Sequence, residues 1–308
     1  MSNLNDFYKL SLEEHNKIYE RYKAKYLIKS VPQKHPIAII TGGQPGSGKS
    51  GLVSIAKIKL YSQGGFALID ADKMRELHPE YKILLQKKDR EAANLAHSDA
   101  AKWSANYIKD AAIGRRNLII DQTSKDTNAF EMLSNSLKKA GYRIEFWVLA
   151  VNELISEQRI LMRYETQKEK LGYGRYSSKE NHDVACAGLL STADNAEKSK
   201  NISIICVYNQ NYQCIYSNHL KNNEWENTPE AHAFVESIRN NSMTLQNLRV
   251  YVNNYAILKE MINNPQRNAS EKEIIDVQKR YEQSMFMLNE KENISPTVET
   301  PRHGCRLI

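Results

Sequence analysis

The sequence predicts an α/β fold: a parallel sheet flanked by helices around a phosphate-binding loop, with a C-terminal helical extension. Three observations predict it. Short apolar runs alternate with helix-length segments from residue 37 to about 218. A glycine-rich run, Gly43-Gln44-Pro45-Gly46-Ser47-Gly48-Lys49-Ser50, sits at the first strand-to-helix junction. Beyond residue 228 the pattern changes to helices alone. Strands that alternate with helices need crossover connections, and crossovers give parallel strands covered on both faces.

The elements follow in order. Ser11 and Glu14 have capping-box spacing and open a helix on which Ile18, Tyr22 and Tyr26 share a face; Pro32 and Pro36 end it. Strands are predicted at 37–41, 66–69, 117–120, 143–151 and 202–208. The last is followed by Asn209-Gln210-Asn211 and a run at 212–216, which predicts a closing hairpin. Thr228-Pro229-Glu230 is a helix start with a cap, a proline and an acid in the right places. Leu245, Leu248, Val252 and Tyr255 form one apolar stripe. After the capping pair Ser270 and Glu273, Ile274, Val277, Tyr281, Met285 and Leu288 form another. An antiparallel helical hairpin over 228–292 is the simplest account, either packed on the α/β body or docking another protein. Residues 293–308, with Pro296 and Pro301, read as a flexible tail.

Composition narrows the class. The 308 residues are long enough for about two domains. No run approaches the ~18 consecutive apolar residues of a membrane span, and the polar N-terminus offers no secretory core. A cytoplasmic protein is expected. Cys186, Cys206, Cys214 and Cys305 show no CxxC spacing and read as free thiols without a zinc site. The net charge of +7 suits a nucleic acid, a polyanionic small molecule, an acidic partner or only a solvated surface.

The glycine-rich run satisfies G-x-x-x-x-G-K-[ST] in full. Its glycines let backbone N–H groups turn inward on phosphate oxygens, and the helix that follows adds its positive end. Lys49 reaches the β/γ-phosphates and Ser50 is a ligand for Mg²⁺. ATP with Mg²⁺ is the expected cofactor pair. Ligands of such sheets lie beyond the carboxyl ends of the strands. Asp70 and Asp72 stand at one such end and Asp121 at another. In kinases of small hydroxyl compounds one such carboxylate takes the substrate proton and another helps hold Mg²⁺. If the strand continues that far, alternation turns Asp70 and Asp72 to the same side; alternatively Asp72 only caps the helix beginning at Lys73. Asn152 caps a helix carrying Arg159 and Arg163 four residues apart. The loop Leu171-Gly172-Tyr173-Gly174-Arg175-Tyr176 follows it. Together they have the makings of a closing lid whose arginines clamp phosphates.

With these residues in order, the chain resembles the zeta toxins of epsilon/zeta-type toxin–antitoxin systems over roughly residues 10–218. The resemblance rests on the glycine-rich run, on Ile69-Asp70-Ala71-Asp72-Lys73-Met74-Arg75 with His78-Pro79-Glu80-Tyr81, on Ile120-Asp121-Gln122-Thr123, and on Arg163-Tyr164-Glu165-Thr166 with Arg175. It implies a P-loop kinase domain over 1–220 that phosphorylates a nucleotide sugar, UDP-N-acetylglucosamine at its 3′-hydroxyl, and an antitoxin partner that covers the ATP site. By motif, Asp72 matches the general base, Arg163 and Arg175 the phosphate-stabilising arginines, and Asp121 and Thr123 substrate contacts. Asp121 stands where the family commonly has Glu, and Gln122 where it has Gly. The family's second substrate-contacting Glu falls near Ala105, with Asp99 two helical turns earlier. Two other readings stay open: a kinase of another nucleotide or nucleic-acid hydroxyl, and a nucleotide-gated binding module without catalysis. The former is the weaker for nucleic acid, because no stretch interleaves basic and aromatic residues.

Overall fold

The computed structural model describes residues 8–294. Residues 1–7 and 295–308 lie outside the described residues, and with them Cys305 and nearly all of the tail expected at 293–308. The chain divides into two compact units, residues 1–241 and 242–308.

The first unit opens with helix α1 (Leu12–Tyr26), whose N-terminus carries the Ser11/Glu14 capping box. The sheet strands are β1 (Ile37–Gly42), β2 (Ala67–Asp70), β3 (Leu118–Asp121), β4 (Arg143–Leu149), β5 (Ile204–Tyr208), β6 (Cys214–Lys221) and β7 (Glu224–Trp225). Their order is β2-β3-β1-β4-β5-β6-β7. The first five are parallel, and β6 and β7 add antiparallel strands at one edge. The helices between them are α2 (Lys49–Tyr61), α3 (Ala71–Glu76), α4 (Tyr81–Lys88), α5 (Ala92–Leu95), α6 (His97–Ile113), α7 (Thr127–Lys139), α8 (Glu153–Leu171), α9 (Lys179–Ser199) and α10 (Ala231–Asn240).

The strands read as apolar runs because both faces of the sheet are covered. Along β1 the side chains alternate between two cores. Ala38 and Ile40 join Trp103, Tyr107, Phe130, Phe146 and Leu189 on one face. Ile37 and Ile39 join Leu52, Ala56, Leu60 and Trp147 on the other. On that second face Glu145 is buried, between Lys59 (2.6 Å), Arg143 and the Trp147 indole N–H (3.1 Å). Burial alone would push its carboxyl up, but the two cations outweigh that and hold it below the usual range.

Among the described residues, the stretch from residue 228 holds three α-helices rather than the two predicted. Its first helix starts at Ala231, after the Thr228-Pro229-Glu230 signal, and α10 belongs to the first unit. There the Ala231 N–H donates to Glu197 Oε2 (2.8 Å) and Phe234 stacks on Tyr216 (4.7 Å). The sheet edge thus supplies a partner for a segment that its periodicity alone would join to the hairpin. The second unit contains α11 (Leu245–Asn263) and α12 (Glu271–Ile294). Arg249 pairs with Glu292, Lys291 bonds Ser242, and Lys259 lies over Tyr281, so the two helices run antiparallel. No described helix is long and apolar enough to cross a membrane.

Candidate active site

The glycine-rich run joins β1 to α2, as its sequence context requires. Gly46 has φ +76°, and a Cβ there would sit 2.0 Å from the Ser156 carbonyl oxygen. Gly48 caps α2 with φ +97°. Both positions need glycine, and they curl the loop so that its amides converge. Gln44 is fully buried and faces away from that concavity. Its amide donates to the Val151 carbonyl (2.7 Å) and Ser156 Oγ (3.3 Å), and its Oε1 accepts from Arg239 Nη2 (3.1 Å). The Gln44 side chain therefore anchors the loop from behind; only its backbone is available to a phosphate. Arg239 also donates to the Cys186 carbonyl (2.7 Å), tying the loop to α9 and α10. Pro45 completes the loop beside it. Ser47 Oγ is buried with no hydrogen-bond partner, and Lys49 Nζ rests on the Gly43 carbonyl (2.7 Å). An unpaired buried hydroxyl and an ammonium resting on carbonyls are chemically fitted to a phosphate anion. Burial pushes the Lys49 ammonium down; Asp121 and Asp72 act against that, and Arg163 adds to it. Ser50 follows in the first turn of α2, exposed to solvent.

The carboxylates gather at the carboxyl ends of β2 and β3. The expected strand does not continue to Asp72. Asp70 accepts from the Asp72 N–H (3.0 Å) and the Lys73 N–H (3.3 Å), and so winds the chain into α3 at once. The helix cap is Asp70, which frees Asp72 for other partners. Asp72 Oδ1 accepts from Arg75 Nη1 (2.7 Å), and Oδ2 from Arg175 Nη1 (2.9 Å). Asp121 is opposite Asp70 in the β2–β3 register and accepts from Thr41 Oγ1 (3.1 Å). Burial chiefly pushes its carboxyl up; Asp70 and Asp72 add to this, while Lys49 and the Thr41 bond oppose it. The Thr123 carbonyl accepts from the Gly43 N–H (3.3 Å), fixing the loop after β3 against the glycine-rich loop.

The lid arginines come from α8 and the loop behind it. Asn152 caps α8 through the Leu154 N–H (3.0 Å), as its sequence predicts. Arg163 has a buried Nε without a partner. Burial, then the neighbouring Arg175, act against its charge, and Asp72 and Tyr81 act for it. The loop after α8 folds back on that helix: the Arg175 N–H donates to Gln167 Oε1 (2.8 Å). Lys49, Asp72, Asp121, Arg163 and Arg175 thus form one cluster of interacting charges before the loop, joined by Arg75, which the motif spacing did not single out as functional.

Asp99 does not stand in for the missing acid at Ala105. Its carboxylate is spent on His15 Nδ1 (2.7 Å) and the Leu10 N–H (3.2 Å), and His15 stacks on Trp103 (5.0 Å). That pair pins α1 to α6.

The zeta toxin family model matches residues 23–221. The chain belongs to the zeta toxin family. It is 29% identical over 187 residues to Toxin PezT of Streptococcus pneumoniae, covering 59% of this chain and 72% of that protein. It is 27% identical over 226 residues to Toxin zeta of Streptococcus agalactiae, covering 70% and 74%. Among solved structures, a chain from the PezAT chromosomal toxin–antitoxin system of Streptococcus pneumoniae superposes with a TM-score of 0.71 at 21% identity, covering 83% of this chain and 99% of that one. The fold is that of this kinase-like family.

Proposed function

We propose that this zeta toxin family member is an ATP-dependent kinase whose acceptor is a hydroxyl of a nucleotide sugar, UDP-N-acetylglucosamine at the 3′ position. One observation carries the reading: the Asp72 carboxylate lies between Arg75 and Arg175, in one charge cluster with Lys49, Asp121 and Arg163, before a phosphate loop with an orphaned buried hydroxyl. ATP supplies the phosphoryl group, and Mg²⁺ offsets its charge. The loop N–H groups from Gly46 to Ser50, Ser47 Oγ and Lys49 hold the phosphates; Ser50 and Asp121 are the oxygen donors for the cation. Asp72 accepts the proton of the acceptor hydroxyl, with Arg75 and Arg175 fixing the direction of its carboxylate. Arg163 and Arg175 gather the negative charge that shifts during transfer. Asp121 and Thr123 border the acceptor side.

The names of the relatives support a toxic role and an antitoxin as partner. The test is mass spectrometry of UDP-N-acetylglucosamine, other nucleotide sugars, nucleotides and short oligonucleotides after incubation with the protein and Mg-ATP. The expected result is the mass gain of one phosphoryl group on UDP-N-acetylglucosamine, absent with Asp72→Ala. Transfer to another hydroxyl in the panel would keep the kinase and replace the acceptor. No transfer from a protein that binds ATP would leave a nucleotide-gated binding module.

A further inference from the structure

Each of the two lid arginines is followed by a tyrosine: Arg163-Tyr164 on α8, and Arg175-Tyr176 in the loop behind it. The two tyrosine rings meet edge to face, with centroids 5.3 Å apart. A third residue joins them from another part of the chain. Arg90, between α4 and α5, lays its guanidinium 4.6 Å from the centre of the Tyr176 ring and 5.4 Å from that of Tyr164. Its neighbour Asp89 accepts from the Tyr164 hydroxyl (3.0 Å) and pairs with Lys168 Nζ (3.1 Å), which itself donates to that hydroxyl (2.8 Å). Tyr164 is 1% exposed, so one jaw of this clasp is set in the protein interior. The loop is also fastened on the other side of Arg175. A Cβ on Gly174 would stand 2.5 Å from the Tyr164 carbonyl oxygen, so only glycine lets the loop lie this close to α8.

Arg175 thus stands between two anchors on one tyrosine. Its guanidinium reaches Asp72 (2.9 Å) and acts against the charge of Arg163. Two guanidinium groups brought together repel. With 37% of its side chain exposed, Arg175 has room to relieve that repulsion by swinging out to water. A loop held at Gly174 and Tyr176 resists this. We propose that Arg90 and Tyr176, closed on Tyr164, are positioning residues that hold Arg175 beside Arg163 before the phosphoryl group arrives, so that the cationic pair is not assembled during transfer. The role in transfer rests on the reading of this site as a kinase's; the clasp itself rests on its contacts.

Two measurements test it. In transfer from Mg-ATP to UDP-N-acetylglucosamine, Arg90→Met and Tyr176→Leu are each expected to lower kcat about tenfold, within what a slightly misplaced catalytic group costs, and to leave titrated ATP affinity within about twofold of wild type. Tyr176→Phe keeps the ring and is expected to keep kcat. Placed on Arg175→Ala, neither substitution is expected to lower kcat further, because its effect runs through Arg175. Further losses in that background overturn the positioning role. So do full kcat in Arg90→Met and Tyr176→Leu, or a Tyr176→Phe as slow as Tyr176→Leu. Hydrogen exchange reads the clasp without activity. The Arg175 N–H, bonded to Gln167 Oε1, is expected to exchange faster in Arg90→Met and Tyr176→Leu than in wild type, while the amides of β1 and β4 keep their rates. Unchanged exchange over residues 172–178 overturns the clasp, as does a speed-up that extends to β1 and β4, which is general loosening. Absence of transfer by wild type overturns the kinase reading and not the clasp, which the exchange rates decide.

Discussion

Asp72 combines two properties a proton acceptor needs. It is held in place by Arg75 and Arg175, and its side chain is only half withdrawn from solvent. Asp72→Asn keeps the shape and removes the basicity. The expected result is a fall in turnover of about 10²–10⁴-fold, the usual worth of general-base catalysis, with ATP affinity within twofold or so of wild type. Steady-state kinetics beside titration checks it. Asp121 pulls in a different direction. Its carboxyl is pushed up, chiefly by burial. A group raised in the folded state is best tolerated when protonated, so its contribution to stability is present at acid pH and lost as pH rises through the folded value. Asp121→Asn should therefore melt at a higher temperature than wild type at neutral pH. That advantage should close as pH falls toward about 4, where the unfolded carboxyl also takes up its proton. The same variant is expected to lose phosphoryl transfer, a gain in stability at the cost of a cation ligand.

At the scale of elements, the glycine-rich loop depends on how closely α8 approaches it. Gly46 meets the Ser156 carbonyl at a distance no side chain can share, and its φ is positive. Gly46→Ala is expected to destabilise the protein by about 2 kcal/mol or more, from the left-handed backbone cost and a backbone clash that flexing a side chain cannot relieve. A chemical denaturation series measures this. The loop itself was legible from sequence because phosphate binding needs four residues of fixed type within an eight-residue run between a strand and a helix. The strands were legible because a doubly covered sheet writes itself as apolar runs. The turn at Asp72 was not. A strand and a helix compete for that residue, and the contest is decided by the Asp70 carboxylate taking two amides, which no alternation rule includes. The partners of Gln44 and of Gly48 were equally hidden. Arg239 lies 195 residues from Gln44, and Tyr212 lies 164 from Gly48, so neither has a spacing to read. Spacing was equally silent on Asp99, two helical turns before Ala105, whose carboxylate is committed to His15.

Across the whole molecule, the boundary between the two units falls at Asn241 and Ser242, past the point where the sequence changes character. That displacement has a mechanical consequence. Helix α10 carries Arg239, whose guanidinium satisfies the Gln44 side chain behind the phosphate loop and the Cys186 carbonyl on α9. Its first residue also satisfies Glu197, and Val235 is completely buried in the core of the first unit. The second unit has buried apolar residues of its own, Leu248, Tyr255 and Leu258 on α11. Two truncations therefore differ sharply. Removal of residues 242–308 should leave the first unit's melting temperature and its ATP affinity close to those of the full chain. Removal of residues 228–308 takes α10 as well. It removes one donor each from the buried Gln44 Oε1, the Cys186 carbonyl and Glu197 Oε2, at about 1–3 kcal/mol where the acceptor is left unpaired, and exposes the apolar surface that Val235 covers. That shorter chain should melt many degrees lower and bind ATP more weakly, because the back of the loop is no longer held. Arg239→Met in the full chain isolates the loop's share. It keeps the volume and removes the fork, and is expected to weaken ATP binding while the second unit remains in place. Equal stability of the two truncations would show that α10 belongs functionally with the hairpin after all.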